Sequence, residues 1–170
     1  MTTLSIWSYA SADGAAAGFG TLESLQVRGA LRIDDSALVT WELGHPRPLG
    51  YQAGCVDGST ALSGAFWGLL FGTVYLAPLA GLPAVWWRAD GLAGIGLPDS
   101  LLARTRQQLC PGRSALFVLS GDAEADDLRL ALSPGTGAHE PDCQISTLDV
   151  DQAAHLAGAF GADTRVDRVP

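Results

Sequence analysis

The sequence predicts an α+β fold made of two β-α-β halves with a hydrophobic segment inserted between them. Three observations carry this reading. Runs rich in β-branched and aromatic residues flank stretches of helical spacing in both the first and the last third of the chain. One of those runs, Ser114-Ala-Leu-Phe-Val-Leu119, is continuously apolar, the pattern of a strand buried on both faces. Between the halves, thirty consecutive residues from Gly58 to Trp87 carry no charge.

The elements follow in order. Leu4 to Ala10 alternates weakly and holds β-formers, so it reads as a strand. From Asp13, the residues Ala16, Phe19, Leu22, Leu25 and Val27 recur at near-helical spacing, and Gly29 is placed to cap that helix. Ser36 to Glu42 is a second strand, followed by a loop by composition from Gly44 to Gly50. Ser100 to Leu109 is a short helix between Pro98 and the Pro111-Gly112 turn. After the apolar strand, Asp122 is a candidate N-cap for a helix with Ala125, Leu128 and Leu132 on one face. Cys143 to Leu148 is a fourth strand, Asp149 to Phe160 a terminal helix, and the polar tail from Gly161 reads as loose. Together these predict a ferredoxin-like sandwich over residues 1–49 and 110–161, an inserted hydrophobic hairpin plus short helix over 50–109, and a flexible tail over 162–170.

The insertion is the informative part. Thr60 to Ala77 is the best helical stretch, stopped by Pro78, and its eighteen residues would span about 27 Å, short for a bilayer. Gly64, Gly68 and Gly72 stand four apart, on one helical face. Each glycine costs a helix about 1 kcal/mol, so three in register imply close approach of another backbone, as in small-x-x-x-small packing between copies or, alternatively, where a helix crosses a sheet closely within one chain. The return limb is short, broken by Pro83, and charged at Arg88 and Asp90. If both halves share one sheet, the insertion must go out and come back, and this limb is too polar to span a membrane. A single-pass protein is therefore disfavoured. What remains is a hairpin buried by self-association, or one dipping into a membrane surface with Trp86 and Trp87 at the interface. The expected contact set is Gly64, Phe66, Trp67, Gly68, Leu70, Phe71, Gly72, Tyr75, Trp86 and Trp87.

Composition removes several functions. The net charge of −8 argues against nucleic acid as a partner. All ten basic residues are arginine, which excludes Schiff-base chemistry, a P-loop lysine and a lysine base. Cys55, Cys110 and Cys143 are too few, too far apart and odd in number for a disulfide framework. The N-terminus lacks a signal-peptide pattern, so a cytoplasmic protein, or one at the inner face of the cell membrane, is expected rather than a secreted one. His139-Glu-Pro-Asp-Cys143 reads as a polar loop, since no second ligand pair has finger-like spacing. His45 lies in a proline loop, and His155 pairs with Asp151 along a helix. Asp34-Asp35 and Asp126-Asp127 read as solvated or capping residues, because neighbours on a helix do not face each other. No catalytic, metal or cofactor site is expected.

Four segments resemble a known family: Gly64-Ala-Phe-Trp-Gly-Leu-Leu-Phe-Gly72, Pro78-Leu-Ala-Gly81, Gly94-Ile-Gly-Leu-Pro-Asp99, and Pro111-Gly-Arg-Ser-Ala-Leu-Phe-Val-Leu119. They are similar to the bacterial family called domain of unknown function 1269, and the similarity runs over nearly the whole chain. The resemblance implies a membrane protein of uncharacterised role and brings no catalytic residues. The second limb departs from the family's uncharged Gly/Ala-rich pattern at Trp86, Trp87, Arg88 and Asp90.

The expected function is thus non-enzymatic. The glycine-zipper hairpin would build a homo-oligomer able to contact a membrane or enclose a lipid-like molecule. An integral or re-entrant membrane protein, and a small-molecule-binding accessory subunit of an enzyme system, are the alternatives.

Overall fold

The computed structural model describes residues 1–55, 61–76, 92, 95–121, 124–133 and 140–161. Within them the chain is mixed α+β. The elements are β1 (Thr2–Tyr9), α1 (Gly14–Val27), β2 (Asp35–Trp41), β3 (Leu49–Gln52), α2 (Gly64–Phe71), α3 (Asp99–Gln108), β4 (Arg113–Gly121), α4 (Ala125–Leu132), β5 (Asp142–Leu148) and α5 (Val150–Phe160). The strands form one open sheet in the order β3-β2-β4-β1-β5, every neighbouring pair antiparallel.

Both faces of the sheet are covered, which is why β4 is apolar at consecutive positions. On one face Leu4, Ile6, Ala37, Val39, Ala115, Phe117 and Leu119 pack with α2, α3 and α5. On the other, Trp7, Leu38, Leu116 and Val118 meet Ala15 and Leu22 of α1 and Leu128 and Leu132 of α4. The parity of each strand sorts its side chains between the two cores.

The helix ends explain their own positions. Beyond α1, Gly29 takes φ +66°, and the amides of Gly29 and Ala30 return to the carbonyls of Gln26 and Leu25. That is a Schellman closure, and it needs the left-handed residue that glycine supplies. Asp149 starts α5 with a capping box, its carboxylate taking the Gln152 amide at 2.8 Å while Gln152 accepts the Asp149 amide at 2.9 Å.

Three expectations change. Leu49–Gln52, read as the end of a loop and the start of the inserted segment, is an edge strand paired with β2. At four residues it is too short to show alternation, and Gly50 serves packing, because the Phe71 ring lies where its side chain would be. The glycine helix is not continuous over Thr60 to Ala77: α2 has eight residues and runs into a π-helical turn at Gly72–Leu76. Thr60 and Ala77 themselves lie outside the described residues, as do Asp122, the expected cap of α4, and the return limb from Ala77 to Gly91. Glu124 occupies the N-cap position of α4.

Glycines on α1 do a job inside the fold. A side chain on Gly14 or Gly18 would run into Tyr9, and the Gly18 position faces the Tyr9 hydroxyl itself. That hydroxyl is buried without a hydrogen-bond partner among the described residues. Gly18→Ala should therefore destabilise the protein by about 1–3 kcal/mol. Adding Tyr9→Phe should recover most of the loss, since it vacates the contested space and removes an unpaired polar atom. Urea titration of the two single variants and the double variant measures that coupling.

Candidate functional site

The glycine-bearing helix begins where a buried carboxylate lets it begin. Asp35 opens β2 on the same face as Ala37 and Val39 and is 0% exposed. It accepts the Leu62 amide at 2.8 Å, the Ser36 amide at 2.8 Å, and Gln52 Nε2 at 2.9 and 3.2 Å. Gln52 also donates to the Leu62 carbonyl at 2.8 Å. One side chain thus ties β2, β3 and the entry of α2 together. Leu62 bridges to Gly161, and the Ser63 amide donates to the Phe160 carbonyl at 2.6 Å, so the end of α5 closes the same corner. Ser63 stays extended as the N-cap, and α2 starts after it.

Burial raises the Asp35 carboxyl above its ordinary value. The Leu62 and Ser36 amides and the Gln52 side chain pull it back down, and the nearby Trp67 indole contributes least.

The inward face of α2 is aromatic. Trp67 stands 4.9 Å from Phe66, 6.0 Å from Phe71 and 6.2 Å from Phe117 of β4, between ring centroids. Phe71 meets Phe117 at 5.1 Å and Tyr75 at 6.3 Å, and Phe66 reaches Phe160 of α5 at 5.6 Å. Edge-to-face geometry at these distances adds to the burial of apolar area. Burial also pushes the Tyr75 hydroxyl up, and it has no hydrogen-bond partner among the described residues.

At the other end the carbonyls of the π-helical turn take side-chain donors. Arg106 of α3 supplies the donors, Nε to the Val74 carbonyl at 2.8 Å and Nη2 to that of Thr73 at 3.4 Å. A cation at a helix C-terminus also suits the helix dipole.

The expected contact set divides. Phe66, Trp67, Leu70, Phe71 and Tyr75, expected to fill a core shared between copies, are packed in this chain's own core. The physical reason is area: the sheet face and the ends of α3 and α5 suffice to cover them. Gly72 is buried, while Gly64 and Gly68 are exposed on the outer side with Ala65 between them. A side chain at Gly68 would meet no atom within 4 Å among the described residues, and one at Gly64 only Gln52 Oε1 at 3.6 Å. Trp86 and Trp87 lie outside the described residues.

The other candidates scatter. Exposed His45 pairs with Glu42 at 3.4 Å, His155 is exposed on α5, and His139 lies outside the described residues. None of the three cysteines forms a disulfide among the described residues. Asp126 and Asp127 occupy the first turn of α4, where the helix dipole favours them. Asp34 and Asp35 point to opposite sides of their strand, one exposed and one buried, so reading both as surface or capping residues holds only for Asp34. Asp35, Gln52 and Arg106 are the residues that sequence reasoning missed. For Asp35 a signal existed, because it is in phase with Ala37 and Val39.

The architecture is that of an α+β protein with an antiparallel sheet, one face of which carries a short aromatic helix whose glycines look outward. The chain belongs to the family described as protein of unknown function (DUF1269), whose model matches residues 61–161. The match takes in α2 through α5 and leaves β1 to β3 outside, so it is narrower than the resemblance suggested. No curated protein and no solved structure matches the chain.

Proposed function

We propose that the protein is a non-enzymatic, self-associating protein whose α2 helix supplies the contact between copies through its glycine face. The observation that carries this reading is the outward exposure of Gly64 and Gly68. On α1, glycines make room for Tyr9 inside the fold; at Gly68 no such neighbour exists among the described residues. A helix that accepts about 1 kcal/mol per glycine without an internal need for it is suited to a partner that approaches its backbone closely. A second copy presents the same stripe and meets it symmetrically.

The ferredoxin-like reading belongs with this proposal. The order β5-β1-β4-β2, with α1 and α4 together on one face, supports a split β-α-β core to which β3 adds an edge. A membrane or a lipid-like molecule at the insertion is part of the same proposal. Among the described residues no helix is long and apolar enough to cross a membrane.

Light scattering on protein prepared without detergent tests the assembly. Discrete oligomers that dissociate in Gly68→Leu support it, and the variant is informative because position 68 has room for a side chain among the described residues. A monodisperse wild-type monomer overturns it, as does recovery only in the detergent-extracted membrane fraction. Gly68→Ala should leave the fold about 1 kcal/mol more stable by helix propensity while weakening association.

A further inference from the structure

The two edges of the open sheet, β3 and β5, are guarded differently. β3 is four residues long, follows Pro48 and contains Gly50. Short length and a proline are ordinary ways to blunt an edge. β5 has neither. It runs seven residues, Asp142–Leu148, without proline or glycine, and no bulge interrupts its register with β1. Its single charge, Asp142, sits at one end and pairs with Arg104 at 2.9 Å. From Cys143 to Leu148 the strand is uncharged, in a chain of net charge −8.

The register identifies the main-chain groups on that edge. Along a strand of an antiparallel sheet, hydrogen-bonding direction alternates from residue to residue. The Ala53 amide donates to the Ser36 carbonyl at 2.9 Å, so Ser36 faces β3 and Ala37 faces β4. Phe117 lies opposite Ala37, Leu116 opposite Trp7, and Ile6 opposite Gln144. Carried across these pairs, the alternation turns Leu116 to β1, Ile6 to β5 and Gln144 back to β1. The amides and carbonyls of Cys143, Ile145 and Thr147 are thus directed away from the sheet, and no described strand lies beyond them. Ile145 is half-buried and Thr147 exposed.

We propose that the outer edge of β5 joins two copies of this chain, antiparallel about a two-fold axis at Ile145, into one continuous sheet. Of the antiparallel registers, the one centred on Ile145 uses all the outward residues at once. Cys143 then meets Thr147 of the second copy, Ile145 meets its own counterpart, and each pair exchanges both hydrogen bonds. The paired isoleucines add apolar contact across the junction. The charges also fit: Asp142 comes opposite Leu148, and the two Asp142 carboxylates stand about 20 Å apart at opposite ends. This edge is separate from the glycine face of α2 and does not rest on it.

Amide hydrogen exchange on the full chain, read residue by residue at two protein concentrations, tests the junction. The amides of Cys143, Ile145 and Thr147 should be protected about tenfold more in the concentrated sample, while those of Gln144 and Ser146 are protected in both. Thr147→Pro deletes one outward amide and spares the ladder to β1, so it should abolish the concentration dependence. Fast exchange at the outward positions in both samples overturns the proposal, as does protection that dilution leaves unchanged.

Cross-linking gives a second reading should the proline variant not fold. With Cys55→Ser and Cys110→Ser in place, Thr147→Cys sets a thiol opposite Cys143 of the second copy, with Cα atoms about 5.5 Å apart and within disulfide reach. Mild oxidation should give mostly covalent dimer. Adding Cys143→Ser should remove it, because the two copies of residue 147 stand about 14 Å apart. No dimer, or a dimer that persists without Cys143, overturns the junction. Gly68→Leu should leave the cross-link unchanged, so failure of the α2 contact and failure of this one are read separately; loss of the cross-link there counts against an independent junction.

Discussion

Trp67→Ala is expected to lower the unfolding free energy by about 3–5 kcal/mol, the largest loss from any single truncation on α2. Trp67 is 2% exposed, and its indole is the hub that touches Phe66, Phe71 and Phe117. Removing it leaves a cavity between the helix and the sheet that neighbouring rings cannot fill without leaving their own contacts. Trp67→Phe keeps part of the volume and should cost less than half as much. Guanidinium denaturation followed by far-UV circular dichroism measures both. A loss under 1 kcal/mol for the alanine variant would mean that the aromatic cluster is not the anchor of α2.

Asp35→Ala is the second large effect, a loss of about 2–4 kcal/mol near neutral pH. The variant relieves a buried charge, which works in its favour, but it strands the Leu62 amide, the Ser36 amide and the Gln52 side chain. Asp35→Asn keeps a carbonyl oxygen for part of that set and should be much milder. The pH dependence has a definite sign. Because the folded-state carboxyl is raised, wild type should gain stability over Asp35→Asn as pH falls through that raised value, with the gain complete below 3.8. Other carboxylates titrate in the same window, so the difference between the two proteins is the quantity to read. A difference that grows with rising pH would contradict the desolvated state of this residue.

Much of the sheet was legible because its signals are local and strong. The apolar run at Ser114–Leu119, the Gly29 stop and the Asp149 start each announce one physical requirement, and each element lies within a residue or two of its expected place. The edge strand β3 was hidden because Gly50 and Pro48 look like loop residues until Phe71 is seen above the strand. The site was harder. Apolar area on α2 was correctly seen as needing cover, but a sequence alone does not say whether the cover comes from the same chain. Asp35 was masked by Asp34 beside it, since a pair of acids reads as surface unless strand parity is applied to each separately. Arg106 had no signal at all. Its role depends on the Val74 carbonyl of a π-helical turn 32 residues earlier.

The strand order also dictates when this protein can fold. Every partner of β1 is more than 100 residues further along the chain, in β4 or in β5. As the chain leaves the ribosome, β1 waits for β4 and β5 to be made, and both its edges stay open meanwhile. Closing loops of that length slows the search relative to a fold built from neighbouring hairpins. A nascent chain of this design is exposed to pairing with its neighbours while the residues between β1 and β4 are made, so its yield should depend on translation rate and chaperone supply more than its final stability would suggest.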